Sequence, residues 1–453
     1  MPEPASSTSR YLEGGYAPVD REVTVAGGEL EVEGRIPPAL AGRYLRTGPN
    51  PVGEAPRPYH WFLGDGMVHG IELRGGRASW YRNRWVRTAA VSAALGEEPV
   101  GGPGQPMYDS SNTNVLGFAG RILSLTEGCY PYVLGPELDT LGLLDAGTLP
   151  HGMTAHPKVD PVTGELHAFS YWWEAPFLIY HVLSPDGRVT VTEPIDLPAP
   201  VSMHDFAITR DHVLFFDQPA VFDLEAAITT GFPFAWKPEN GARVGVLPRG
   251  GDAGDIRWFE TETCYTFHPM NAYDDEAGGI VVDVPKLSSV FDDDNLVPAD
   301  GKTQCLERWS IDLAAGKVRS ELLDEESQEF CRVNESILGS RHRFGYTIAL
   351  GHQMPYDDTR VFKHDLRAGT RDVHDFGAGN HPGEFVFVAD PDRAGEEDGG
   401  WLLGLVHDET RSTPRTSLTI LDAQDVTGPP IAQVHVPVRV PFGFHGNWVA
   451  DER

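Results

Sequence analysis

Cysteine is scarce. The 453 residues hold four, Cys129, Cys264, Cys305 and Cys331, and no two form a Cys-x-x-Cys pair. So thin a supply excludes a disulfide-stapled scaffold and points to reduced thiols. Cations are also in deficit, with 36 Lys and Arg against 66 Asp and Glu, a formal charge of −30. Phosphate binding needs clustered cations, so nucleic acid is excluded as a partner. A broad basic face for an anionic membrane is excluded on the same ground, whereas shallow insertion of an apolar patch is not. Long apolar runs are absent too. None approaches the roughly 20 residues of a spanning helix, and the opening MPEPASSTSRYLEGGYAP has no apolar signal-peptide core. A cytoplasmic protein is expected.

Helical patterns are few: Val91 to Leu95, the segment around Asp223 to Thr229, and Leu287 to Phe291. What fills the chain is short β-type runs broken by turn residues, the text of an all-β domain. Ile71-Glu72-Leu73 and Ser79-Trp80-Tyr81 flank Gly75-Gly76, and His181-Val182-Leu183 meets Val189-Thr190-Val191 across Pro185-Asp186-Gly187. Similar hairpins are expected at Trp309 to Ser320 and at Val361 to Val373, with longer strands at His212 to Phe216 and Gly279 to Val284. Residues 1–20 read as a disordered or draped arm. No Pro/Ser-rich linker divides 21–453, which is expected to be one domain. Units of four short strands suit a β-propeller, which leaves only short edges; by pattern alone a jelly roll or double sandwich fits as well.

Four of the 17 histidines stand apart by context. His156 lies in Thr-Ala-His-Pro-Lys, His204 in Met-His-Asp-Phe-Ala, His268 in Phe-His-Pro-Met-Asn, and His445 in the closing Pro-Phe-Gly-Phe-His-Gly-Asn-Trp. Each sits beside a short apolar segment that would begin a buried strand, where an imidazole without a partner is costly. Their separations of 48, 64 and 177 residues match no local metal motif. Long unequal intervals are what different propeller blades would produce. Three acidic residues share such surroundings: Glu127 after Leu-Ser-Leu-Thr, Glu329 in Gln-Glu-Phe-Cys-Arg, and Glu384 in Pro-Gly-Glu-Phe-Val-Phe-Val. A carboxylate beside a strand core pairs with a cation, orients a metal-ligating histidine, or sits at a strand edge facing water.

From about Val32 to Trp448 the sequence resembles the carotenoid cleavage oxygenase family. The resemblance rests on Gly42-Arg43-Tyr44-Leu45-Arg46-Thr47-Gly48-Pro49-Asn50-Pro51, on His60-Trp61-Phe62-Leu63-Gly64-Asp65-Gly66-Met67-Val68-His69, and on Ser111-Asn112-Thr113-Asn114-Val115. The Glu127 segment, Thr154 to Pro161 and the histidine and glutamate contexts above continue it. Thr47 stands where the family usually has Asn. The resemblance implies a seven-bladed β-propeller with a loop-and-helix cap over one face and Fe(II) on its axis. It implies His156, His204, His268 and His445 as the iron ligands. Glu127, Glu329 and Glu384 would hold His204, His268 and His445 respectively, leaving His156 without a carboxylate. Four neutral imidazoles suit a divalent first-row metal. Three carboxylates behind them would fix tautomers and restore charge balance.

The implied reaction is scission of a conjugated C=C bond by O2 into two carbonyl products. A hydrophobic polyene or aromatic olefin needs an aromatic tunnel. Candidates come from the Trp80/Tyr81/Trp85, Tyr171/Trp172/Trp173 and Phe232/Phe234/Trp236 clusters, with Tyr81, Trp85, Thr126, Trp172, Phe267 and Phe444 as the lining expected. Members of the family that cleave phenolic stilbenes and phenylpropenes carry Lys immediately before the first glutamate. Here that position is Thr126, which cannot stabilise a phenolate as an ammonium can, so a carotenoid or apocarotenoid is favoured. Tyr81 is a candidate second phenol-binding position. The segment from Ala89 to Pro106 is a candidate peripheral membrane contact and equally a plain surface loop. Relatives that isomerise or hydrolyse a retinoid-like ester without O2 share the same ligands and remain an alternative. A propeller used only for protein binding would show gaps among the seven metal-shell residues, and none is missing. A four-histidine zinc hydrolase is weakened by the preference of structural zinc for thiolates.

Overall fold

The structure, a computed structural model, describes residues 9–55, 59–101, 109–229, 231–291, 305–351, 356–411 and 414–451. Short amphipathic runs that alternate inside and out pair into antiparallel sheets. Seven sheets of four or five strands stand as propeller blades, and one two-stranded ribbon is added. The first blade runs outward from Gly446–Ala450 through Gly42–Pro49, Gly66–Arg74 and Arg77–Trp85 to Val23–Ala26. The seventh runs from Asn380–Ala389 through Gly400–Asp408, Arg415–Asp422 and Ala432–Val436 to Glu31–Gly34. Early and late segments thus cross the seam in both blades, with Tyr44 opposite Trp448 and Val32 opposite Val434. The other five blades follow in chain order, with innermost strands Asn114–Phe118, Lys158–Val159, Phe206–Ile208, Asn271–Asp274 and Gln328–Arg332.

The hairpins expected from turn residues all form. Strands nearest the axis are buried on both faces, as in Phe206–Ile208, while outer ones such as Thr370–Asp375 alternate with solvent. Apolar side chains fill the wedges between blades. Phe169, Leu178, Phe206 and Phe215 pack between the third and fourth, and Val244, Phe259, Ile280 and Trp309 between the fourth and fifth. Each such burial contributes roughly 1.5–3 kcal/mol.

An ion pair built on a fully buried carboxylate also holds the fifth blade. Asp283 accepts from Arg308 Nε and Nη2 at 2.7 and 2.8 Å and lies 3.2 Å from His342 Nε2. Asp283→Ala leaves the Arg308 guanidinium without its counter-charge in the sheet. A cost of about 3–5 kcal/mol is expected, read as a lowered urea midpoint; a change below about 1 kcal/mol would contradict the assignment of Asp283 as the counter-charge of Arg308.

Helices form at Ala89–Leu95 and Leu224–Thr229, but not at Leu287 to Phe291. There Ile280–Lys286 continues extended, and Leu287 exchanges both backbone hydrogen bonds with Tyr265 at 2.9 and 2.8 Å. Leu287 and Val290 enter an apolar cluster with Tyr265 and Phe267, so tertiary burial outweighs helical spacing. The arm is anchored from residue 9 onward: Tyr11 stacks on Trp61 at 5.9 Å and Tyr16 meets Phe442 edge-on at 4.9 Å. Its first eight residues lie outside the described part. No disulfide joins the cysteines. Among the described residues no helix is long and apolar enough to cross a membrane.

Candidate metal centre and its cavity

The seven residues singled out above are distributed one to a blade. His445 directly precedes the innermost strand of the first blade, while His156, His204 and His268 lie two or three residues before those of the third, fourth and fifth. Glu127 follows Arg121–Leu125 in the second blade, while Glu329 and Glu384 lie within the innermost strands of the sixth and seventh. Pro157 and Pro269 bias the histidines before them toward extended backbone. His445 is tied through its backbone, its N–H donating to Thr113 O and its carbonyl accepting from Thr47 N, both 3.1 Å. Gly443 suits the position, because a Cβ would fall 2.9 Å from the backbone carbonyl of Thr47 as well as against the buried Arg46 guanidinium.

The two glutamates in innermost strands owe their aim to irregularity. Pairing shifts register between Glu329 and Arg332, where Phe330 takes φ +54°, and again between Pro382 and Phe385 around Glu384. Bulges of this kind re-aim a side chain at modest cost.

The four rings converge. His156 Nε2 lies 3.1 Å from His204 Nε2, which lies 3.0 Å from His268 Nε2. His445 joins them with ring centroids 4.5 Å from His156 and 4.6 Å from His268. One ring nitrogen from each of the four falls within 4.8 Å of the others. Behind them, His204 Nδ1 contacts Glu127 Oε1, His268 Nδ1 lies 2.5 Å from Glu329 Oε2, and His445 Nδ1 lies 3.1 Å from Glu384 Oε1. No carboxylate contacts His156 among the described residues. A carboxylate on Nδ1 keeps the proton there and turns the Nε2 lone pair inward. Burial, reinforced by the neighbouring rings, holds His156 and His268 far below the usual histidine pKa, so both stay neutral. Burial by itself would raise the pKa of Glu384, but His445 and Arg332 bring it below the ordinary carboxylate value.

Ring nitrogens about 3 Å apart that each turn a lone pair inward repel unless something positive lies between them. Two nitrogens bound at right angles, each about 2.1 Å from an ion, are about 3.0 Å apart. The donor set therefore fits a divalent metal.

A cavity of about 920 Å³ opens onto His204, His268 and His445. Phe62, Phe232, Phe267, Phe291, Phe330 and Phe444 are among its walls, with Phe267 and Phe330 in ring contact with the site histidines. No Lys or Arg lines it among the described residues. Thr126, Trp172, Phe267 and Phe444 face this cavity as expected, and so do Tyr171, Trp173, Phe232 and Phe234. Thr126 bonds to Asn112, taking its N–H at 2.6 Å and donating to Oδ1 at 3.1 Å.

Tyr81 and Trp85 must be corrected. Both lie in Arg77–Trp85, fourth strand from the axis, too far out to reach the cavity. Tyr81 is buried against His69 Nδ1 at 2.9 Å, and the Trp85 indole donates to Asn50 O at 2.8 Å. Phe62 and Phe291 were missed; neither has a local signal, since their approach to Phe232, at 5.6 and 4.8 Å, joins remote loops.

The cap is built from an excursion of the fourth blade, the ribbon Ala220–Phe222/Phe234–Trp236 and helix Leu224–Thr229, together with the Trp172–Trp173 loop. Leu224 lines the cavity, and it and Ile228 expose large apolar side chains. Ala89–Leu95 instead turns Val91 inward against Met67 and Trp85, and residues 102–106 lie outside the described part.

The family described as retinal pigment epithelial membrane protein matches residues 16–450. The carotenoid cleavage oxygenase of Mycobacterium tuberculosis is 42% identical over 98% of each chain. The chain belongs to the carotenoid cleavage oxygenase family. Plant carotenoid cleavage dioxygenases match over 99% of this chain at about one third identity, so the protein is a dioxygenase by kinship. Among solved structures, Pseudomonas brassicacearum lignostilbene dioxygenase superposes with TM-score 0.87 and 29% identity, covering 97% of this chain and 98% of its own. Synechocystis apocarotenoid oxygenase superposes with TM-score 0.84 and 29% identity, covering 96% and 98%. The fold is thus similar to that of both enzymes over nearly the whole chain.

Proposed function

We propose that the protein is a non-haem Fe(II) dioxygenase that cleaves a conjugated C=C bond of a carotenoid or apocarotenoid. One O2 is consumed per double bond and one oxygen atom enters each of two carbonyl products. His156, His204, His268 and His445 hold the iron through Nε2, and Glu127, Glu329 and Glu384 accept from the Nδ1 groups behind three of them. Iron so bound would supply the dioxygen chemistry, a ring of four protein donors leaving positions open for small ligands. The remaining tasks fall to the chain. Phe267, Phe444 and Phe62 flank the rings with apolar surface that excludes water and restrains a flat polyene. Trp172 and Trp173, stacked at 3.9 Å, extend that surface outward.

The observation that carries this reading is a largely apolar cavity that ends on the converging imidazoles, with no Lys or Arg along its described wall. A phenolate would want a cation; a polyene wants none. The stilbene alternative keeps one support, the high structural similarity to a lignostilbene dioxygenase.

The test offers Fe(II)-loaded protein an apocarotenal and, separately, 4-hydroxystilbene in air, following O2 uptake and identifying aldehydes by mass spectrometry. Two aldehydes from the polyene alone are expected. Cleavage of the stilbene alone would transfer the substrate to the phenolic class. Iron bound with neither olefin cut and no O2 consumed would move the reading to a non-oxidative retinoid-type isomerase.

A further inference from the structure

Each of the three carboxylates behind the imidazoles has an additional partner, and the three partners differ. Glu127 Oε2 accepts from the Tyr171 hydroxyl at 2.5 Å, and Glu329 Oε2 accepts from Phe330 N. Glu384 Oε2 accepts from Gly446 N at 2.8 Å, and its Oε1 also faces a cation, Arg332 Nη1 at 3.5 Å. Arg332 is placed there by the same bulge that aims Glu329, three residues earlier. Its other nitrogen, Nη2, donates to Asn447 Oδ1 and to Glu335 Oε1, each at 2.5 Å.

The contacts continue. Asn447 Nδ2 donates to Asn114 Oδ1 and to Val115 O, both at 3.0 Å, and Asn114 Nδ2 donates to the carbonyl of Ala155 at 2.8 Å. Asn447 and Asn114 are 8% and 5% exposed. Ala155 is the residue before His156, and Asn447 is two residues after His445. One guanidinium thereby links the carboxylate behind His445 to the backbone that carries His156, the imidazole with no carboxylate of its own. The path crosses the sixth, seventh, first, second and third blades.

We infer that Arg332 is a positioning residue of the metal centre, acting through Glu384 on His445 and through Asn447 and Asn114 on the strand start that carries His156. The inference rests on the metal-site reading above. Charge and geometry make opposite forecasts, which is what makes it testable. Removing the cation beside Glu384 leaves the site more negative, so Coulomb attraction alone would tighten the grip on a dication. Loss of orientation would loosen it. Disturbing partners of metal ligands commonly weakens affinity by about 10–100-fold.

The experiment titrates metal-stripped full-length protein with Co(II), following its visible absorption band and fitting the affinity. Cobalt is accepted by the Synechocystis relative in a solved structure. Arg332→Met is expected to bind Co(II) at least about 10-fold more weakly, with a shifted band. Arg332→Lys, which keeps the charge but not the fork, is expected to fall between Met and wild type. Asn447→Ala cuts the link from Arg332 to Asn114 with no change of charge and should weaken binding in the same direction, a loss that Coulomb attraction does not produce. It carries the test should Arg332→Met fail to give wild-type circular dichroism. Unchanged or tighter Co(II) binding in the variants would overturn the positioning role. Full recovery by Lys would reduce it to charge and overturn it too. Failure of the wild type itself to take up one Co(II) would instead sink the metal-site reading beneath it.

Discussion

His445→Ala is expected to lose stoichiometric Fe(II) and, with it, O2 consumption, while remaining folded. The position is held by backbone contacts to Thr113 and Thr47, which alanine keeps. What disappears is one of four donors and the partner of Glu384 Oε1. The remaining imidazoles cannot enclose the ion from that side, and a buried carboxylate is left facing the gap. Perturbing a ligand's outer partner costs about 10–100-fold in metal affinity, so loss of a ligand should exceed about 100-fold. Glu384→Gln, which leaves the imidazole but removes the charge behind it, should fall inside that range. Metal per chain after Fe(II) loading, together with O2 uptake, measures both. One tightly held iron per chain in His445→Ala would remove this histidine from the ligand set.

Acid should unfold the protein well above the pH at which carboxylates titrate. Six histidines outside the metal centre, His60, His69, His167, His181, His364 and His407, are buried, and desolvation lowers the pKa of every one. For His167, His181 and His364 the value falls to about 4, and for His60 to about 3. The folded chain therefore binds fewer protons than the unfolded chain, whose histidines titrate near 6.5. Stability is whole above that value and is lost as pH falls through it, down to the depressed folded values. Once the unfolded groups are protonated, each contributes a slope of about 1.4 kcal/mol per pH unit, and six together about 8. A domain's whole stability is about 5–15 kcal/mol. The unfolding midpoint is accordingly expected between about pH 5 and 6, with several protons taken up. Circular dichroism against pH, and the buffer dependence of the calorimetric enthalpy, read both quantities. A midpoint below about pH 4, or no proton uptake, would show that these imidazoles are charged inside the fold.

The chemistry was legible to the extent that it was local. His156 and His268 announce themselves by a following proline and an apolar strand start, and His445 by the glycines and aromatics around it. Glu127, Glu329 and Glu384 carry the same signature of an acid beside a strand core. Turn residues marked the hairpins because a turn's backbone needs are met by residues within it. Tyr81 and Trp85 misled because an aromatic strand reads alike whether it is first or fourth from the axis. Leu287 misled because its backbone partner, Tyr265, lies 22 residues back.

The sequence by itself determined the β class, the blade-like units, the candidate donor set and, through its resemblance to a known family, the kind of reaction. All of these depend on side-chain type and on spacing over a few residues. Only the tertiary structure decided which strand of each blade stands at the axis, which aromatics wall the cavity, and that Arg332 reaches Glu384 and Asn447. Those facts depend on how seven sheets pack at once. A small rotation of one blade moves a side chain at its edge by several ångströms, and no stretch of neighbouring residues encodes that rotation.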